Sequence, residues 1–186
     1  MEFSRRSFLA GASASAFTIV RPELVRGAGD EKIKVGIIGC GGRGTQAGED
    51  TLVGNPNVEI IAMADIFEDR LEKSLKQLRT GRRTAKMADR VKVDPEHRFT
   101  GFDAYKKVLA TDVDYVILAT PPGYRPEHFE AAVAAKKHVF CEKPFGTDAV
   151  GVRRFMAAAK KSQELKLSVK SGAQRRSQRS YLAALE

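Results

Sequence analysis

After position 32 the apolar residues fall into short β-branched runs separated by stretches of helical period. Residues 33–38 (Ile-Lys-Val-Gly-Ile-Ile), 58–64 (Val-Glu-Ile-Ile-Ala-Met-Ala), 114–120 and 138–141 read as strands buried on both faces, and 165–169 as a last strand. Between them, residues 70–79 put Leu71, Leu75 and Leu78 on one helical face, in a helix beginning near Phe67. Residues 103–110, 127–137 and 148–161 read as further helices, the last with Asp148 as its N-cap. Residues 80–98 are polar, basic and irregular, which predicts an insertion loop. This alternation predicts an α/β fold, a doubly wound parallel sheet. Right-handed crossovers place the strand C-termini on one rim. The loops at 39–44, 65–67, 120–124, 142–146 and 171–176 then all leave from that rim, where open α/β sheets bind ligands.

The first thirty residues follow a different rule. A basic start with Arg5-Arg6, then Phe8-Leu9, a weakly apolar stretch to Val20 and a small-residue patch at Gly27-Ala28-Gly29 make up an export signal. The paired arginines resemble the twin-arginine signal. The expectation is a signal peptide over 1–30, cleaved near Ala28, and a mature protein in the periplasm or another extracytoplasmic space. That route carries proteins already folded, which suits a protein that leaves with its cofactor in place. The apolar stretch at 8–20 is shorter than the ~20 residues that span a membrane.

Composition alters the picture mainly through charge. The chain has 186 residues and a formal net charge of +9, a balance that invites a nucleic-acid reading. Divided along the chain, the excess is local. Residues 1–30 and 31–150 each carry +1, and residues 151–186 carry +7. No nucleic-acid motif accompanies that basic end, so it reads as a surface to be covered by protein. Two cysteines without a Cys/His cluster speak against a zinc module or a disulfide scaffold.

The chemistry sits after the first strand. Gly39-Cys40-Gly41-Gly42-Arg43-Gly44 matches G-x-G-x-x-G directly behind a β-rich run. Gly39 permits the tight turn, Gly41 lets backbone approach a pyrophosphate, and Gly44 lets the following helix pack on the strand. The N–H groups at that helix N-terminus face the phosphates. The second strand ends at Asp65, 21 residues after Gly44, where an acid meets the adenosine ribose hydroxyls. A carboxylate there repels a 2′-phosphate, so NAD is favoured over NADP. The other reading of Asp65 is a cap on the helix near Phe67.

Four pieces together resemble the N-terminal domain of the Gfo/Idh/MocA oxidoreductase family: residues 35–44, Ala64-Asp65, Ala119-Thr120-Pro121-Pro122 with His128, and Glu142-Lys143-Pro144. The resemblance spans roughly residues 32–186. It implies a Rossmann NAD(P)-binding domain over 31–172. It also implies that Lys143 lies beside the nicotinamide, orienting the substrate hydroxyl and assisting its proton transfer. Pro144 is expected to follow a cis peptide bond. Gly39, Gly41, Gly42, Arg43, Gly44, Asp65, Thr120, Pro121, Pro122, Glu142, Lys143 and Pro144 are the expected cofactor contacts. Glu142 reads equally as a structural partner of a nearby N–H, and His128 equally as a surface residue of its helix. Gln174, Arg175 and Arg176 face the same cleft by resemblance. No metal is expected. Cys40 and Cys141 stay unpaired, because the strand order 3-2-1-4-5-6 puts one strand between them.

The family also carries a second α/β domain, built on an open antiparallel sheet. That domain holds most substrate contacts, the usual catalytic His and the interface of a homo-oligomer. Here residues 173–186 read as the start of a linking helix (179–186), and the second domain is expected to be absent. The resemblance therefore implies the cofactor-binding part of an exported oxidoreductase acting on a sugar or polyol. Two alternatives stand beside it. One is an NAD-dependent glycoside hydrolase of the same fold, and the other is a truncated dinucleotide-binding product without turnover.

Overall fold

Ile33–Ile38 forms β1, in the middle of the sheet, because Val35 and Ile37 find an apolar layer on one face and Ile38 finds one on the other. In the computed structural model, which describes residues 32–173 and 178–184, β1 is joined by β2 (Val58–Asp65), β3 (Arg98–Thr100), β4 (Tyr115–Leu118), β5 (His138–Cys141) and β6 (Val169–Ser171). All pairs are parallel, in the order β3-β2-β1-β4-β5-β6. The helices are α1 (Gly42–Gly54), α2 (Glu68–Thr80), α3 (Ala104–Ala110), α4 (Arg125–Ala134), α5 (Ala149–Glu164) and α6 (Arg179–Leu182).

Alternation along the strands sorts the core into two layers. Val35, Ile37, Ile60, Met63 and Ile117 pack with Ala47 and Leu52 of α1 and Leu71, Leu75 and Leu78 of α2. Ile38, Ala62, Ala64, Val116 and Leu118 pack on the opposite face with α3, α4 and Ala158 of α5. The chain changes faces between β3 and β4, and so the loops after β1 and β4 diverge. That divergence is the switch point at which doubly wound sheets open a crevice.

Three expectations need correction. The stretch 80–98 is not an irregular loop throughout. It holds 3₁₀ turns at Ala85–Arg90 and Pro95–His97 and leads into β3. Val91 and Val93 are buried anchors, and Arg79 donates to both of their carbonyls. A three-residue strand, Arg-Phe-Thr, carries too little periodicity to announce itself. The last strand lies at Val169–Ser171, not at 165–169. Helix α5 runs on to Glu164, Lys166 turns with φ +56°, and Leu165 and Leu167 plug the turn into the core. Finally, α4 begins at Arg125, since Pro126 falls in the first turn, where a missing N–H costs nothing. Asp148 caps α5 as expected, accepting from Gly151 N at 2.8 Å. Among the described residues no helix is long and apolar enough to cross a membrane.

Candidate active site

At the C-terminal end of β1 the glycine turn is set by sterics. Gly39 has φ +96°, and a Cβ there would stand 2.7 Å from the Ala119 carbonyl carbon. A Cβ on Gly44 would lie 1.8 Å from the Gly39 carbonyl oxygen, so only glycine lets α1 come this close to the strand. Gly41 and Gly42 differ, for a Cβ on either meets no atom within 4 Å. Their place in the motif is explained by open backbone rather than by packing. The first intrahelical bond is Thr45 N to Gly41 O at 2.9 Å. The N–H groups before it have no intrahelical acceptor and carry the positive end of the helix dipole. This is the cradle a pyrophosphate requires.

Asp65 stands beside the turn and holds it. One carboxylate oxygen accepts from Cys40 N at 2.7 Å and the other from Phe67 N at 3.0 Å. The second bond is an Asx turn ahead of α2, whose N-cap is Phe67 without a side-chain cap. Asp65 therefore joins two loops of the rim instead of capping the helix. Each oxygen retains a lone pair for a ribose hydroxyl.

Behind Asp65 lies a slot walled by Phe102, Tyr105, Tyr124 and His128, with Ile38 and Ala64 at its base and Thr120 and Pro121 at its edge. His128 is buried, not a surface residue. Its ring stacks on Tyr105 at 4.1 Å, and Nδ1 shares a hydrogen bond with Thr120 Oγ1 at 3.1 Å. Burial pushes its pKa down to about 4, against a smaller upward pull from Glu127. The ring is thus neutral at physiological pH. The slot lies next to the Asp65 carboxylate and turns aromatic faces towards the rim.

At the other end of the rim, Glu142 is buried and takes Arg43 as its partner. Arg43 Nε donates at 2.7 Å, and Nη2 approaches the same oxygen at 2.5 Å. A Cβ on Gly172 would come within 2.5 Å of that carboxylate, so β6 gives way to it. Arg43 thus gives Glu142 a structural partner. The Lys143–Pro144 peptide is cis, and the Lys143 side chain is exposed. Sequence reasoning missed Arg125. It is 6% exposed, and its Nη1 donates to Pro144 O at 2.5 Å. Its only sequence signal is a charged residue one step before a helix-starting proline.

The cysteines are free and buried. Burial pushes the Cys141 thiol up to about 12 and the Cys40 thiol higher still, so neither is a nucleophile at neutral pH. The structure thus brings together Gly39, Gly41, Gly42, Arg43, Gly44, Asp65, Thr120, Pro121, Glu142 and Lys143 on one sheet edge. Gln174, Arg175 and Arg176, the 1–30 segment and the last two residues of the expected linking helix lie outside the described residues.

Known proteins resemble this chain in the same terms. A family model described as "Oxidoreductase family, NAD-binding Rossmann fold" matches residues 33–171. Myo-inositol 2-dehydrogenase of Thermotoga maritima is 27% identical over 130 residues, which are 70% of this chain and 34% of that protein. The crystal structure of scyllo-inositol dehydrogenase from Lactobacillus casei, with bound NAD(H) and scyllo-inositol, has a TM-score of 0.65. It is 24% identical, covering 83% of this chain and 40% of that one. A 3-ketoreductase from Actinomadura kijaniata, in complex with NADP, has a TM-score of 0.60 at 25% identity, covering 83% of this chain and 42% of that one. The chain spans about a third of the length of the curated relatives it matches. With its glycine turn and its parallel sheet, the chain belongs to the Gfo/Idh/MocA oxidoreductase family and carries the NAD-binding Rossmann fold of that family.

Proposed function

We propose that this chain forms the cofactor-binding half of an oxidoreductase that removes hydride from a ring carbinol of a sugar or polyol. One observation carries the reading. The Gly39–Gly44 turn, Asp65 and the Glu142-Lys143-Pro144 segment meet on one rim, tied by Asp65 to Cys40 N and by Arg43 to Glu142. The nicotinamide supplies the hydride acceptor. The glycine turn and the N-terminus of α1 hold the pyrophosphate. Asp65 receives the adenosine ribose and repels a 2′-phosphate, which favours NAD over NADP. Lys143, exposed on the rim, orients the substrate hydroxyl and passes its proton to solvent. Inositol dehydrogenases among the relatives support a cyclic polyol as substrate class.

The test uses the natural polypeptide that contains this chain. NADH and NADPH titrations should show NADH binding at least about tenfold more tightly, a difference of ~1.4 kcal/mol. Myo-inositol, scyllo-inositol and aldoses are then screened for formation of reduced nicotinamide. NADPH binding as tight as NADH would overturn the role given to Asp65. Binding of NADH without oxidation of any polyol or sugar would overturn the substrate class. Export by the twin-arginine route is part of the proposal. It is checked by whether Arg5→Lys with Arg6→Lys retains a folded reporter in the cytoplasm.

A further inference from the structure

Lys143 is the residue on which the chemistry turns, and its two neighbours are both held by arginines from other loops. Before it, Glu142 is gripped by Arg43 from the turn after β1. After it, the Pro144 carbonyl is gripped by Arg125, the first residue of α4. These contacts cross 99 and 19 residues of sequence.

Arg125 is costly where it stands. It is 94% buried, and its Nε has no protein partner among the described residues. A guanidinium this buried, with an unmatched donor, loses hydration that one hydrogen bond does not restore. Stability alone favours an apolar side chain of similar volume at this position. The residue is explained by what its planar fork does. A fixed donor reaches the main-chain oxygen next to Lys143, which a flexible ammonium does less well.

We infer that Arg125 is a positioning residue for the nicotinamide end of the site: through the Pro144 carbonyl, and opposite the Arg43–Glu142 pair, it fixes the direction in which Lys143 leaves the sheet. The inference rests on the reading of Lys143 as the residue beside the nicotinamide. It separates the two ends of the cofactor. The adenosine end depends on Asp65, whose carboxylate bonds go to Cys40 N and Phe67 N, while the aromatic slot adjoins Arg125 through Tyr124, which the ADP-ribose comparison tests.

The experiment compares NADH with ADP-ribose, which lacks the nicotinamide, on the natural polypeptide and on Arg125→Met and Arg125→Lys. For Arg125→Met, NADH affinity should fall about tenfold while ADP-ribose affinity changes less than about twofold. Bound NADH should lose part of its fluorescence shift and anisotropy. With substrate, kcat should fall while the polyol KM changes little. Arg125→Lys keeps the stem and charge without the fork, and should lie between. It also provides the test if Arg125→Met does not fold. Unchanged NADH affinity and fluorescence in both variants would overturn the inference. So would a parallel loss of NADH and ADP-ribose affinity, which marks a residue that merely holds the fold. Failure of the wild-type protein to bind either nucleotide would overturn the cofactor reading and this inference with it. Binding of ADP-ribose as tight as NADH by the wild type would overturn the placement of Lys143.

Discussion

The two halves of the sheet are built by different means. On the β1–β2 side, α1 and α2 cover one face, and the glycine turn and Asp65 are locked by backbone contacts. On the β5–β6 side, Val169 of β6 is 40% exposed, and Val150, Val152 and Met156 along α5 are exposed as well. There the Lys143 segment is held by two arginines, with Phe145 stacked on Phe155 of α5 behind it. The comparison teaches that the glycine-turn end is fixed by close approach of backbone, whereas the Lys143 end is fixed by charged side chains reaching from other elements. Substitutions in the first half should act through sterics and burial. In the second half they should act through charge and hydrogen bonding.

The largest effect is expected at Gly44. Gly44→Val drives a side chain into the Gly39 carbonyl, and should cost at least about 3 kcal/mol and abolish nucleotide binding. Thermal melts and NADH titration check it. A variant of near wild-type stability would show that the turn yields more easily than its contacts imply.

Acid comes next and also strikes the adenosine half. The folded pKa of His128, about 4, lies below its ordinary 6.5. The neutral ring is therefore favoured by folding. Its contribution is fully present above pH 6.5 and is lost as pH falls towards about 4. The loss is on the order of 3 kcal/mol at most. Urea unfolding across that window should be markedly steeper in wild type than in His128→Asn. Equal slopes would place the acid sensitivity elsewhere.

A smaller effect is expected at Arg43→Met. This strands the buried Glu142 carboxylate, but Arg43 is about a third exposed and solvent softens the loss. A cost of roughly 2 kcal/mol follows, smaller than that of breaking a fully buried pair. It should be largely rescued by Glu142→Gln in the same chain. Absence of rescue in the double-mutant cycle would show that the pair is not what holds the Lys143 segment. The smallest effect falls on Asp65→Asn, which keeps an acceptor for the turn but removes the charge. The preference for NADH over NADPH should shrink about tenfold, with little change in melting temperature.

The same contrast governs what was legible in the sequence. Strands β1, β2, β4 and β5 stand out because burial on both faces demands unbroken apolar runs. The roles of Gly39 and Gly44 follow from a motif whose spacing is itself geometric. Strand β3 was hidden by its shortness, and β6 was displaced because Leu165 and Leu167 pack into the core from a turn and imitate a strand. The Arg43–Glu142 pair joins residues 99 apart, and Arg125 serves a carbonyl, which has no signature in residue type. His128 shares the buried face of α4 with Arg125, Phe129 and Ala132 at i, i+3, i+4 and i+7, a spacing hidden when the helix is started at Glu127 instead of Arg125.

Asp65 has a consequence for anyone wishing to re-engineer the cofactor. The usual route to NADP acceptance replaces the ribose-directed acid with a small or basic residue. Here that acid is also the bracket between Cys40 N and Phe67 N. Its removal trades discrimination against grip, and a swapped enzyme would gain the phosphorylated cofactor while holding both cofactors more weakly. Evolution faces the same toll. A lineage changing its redox currency through this position has to rebuild the bracket first, for example with a hydroxyl or amide at 65, before a cation at 66 or 67 becomes useful.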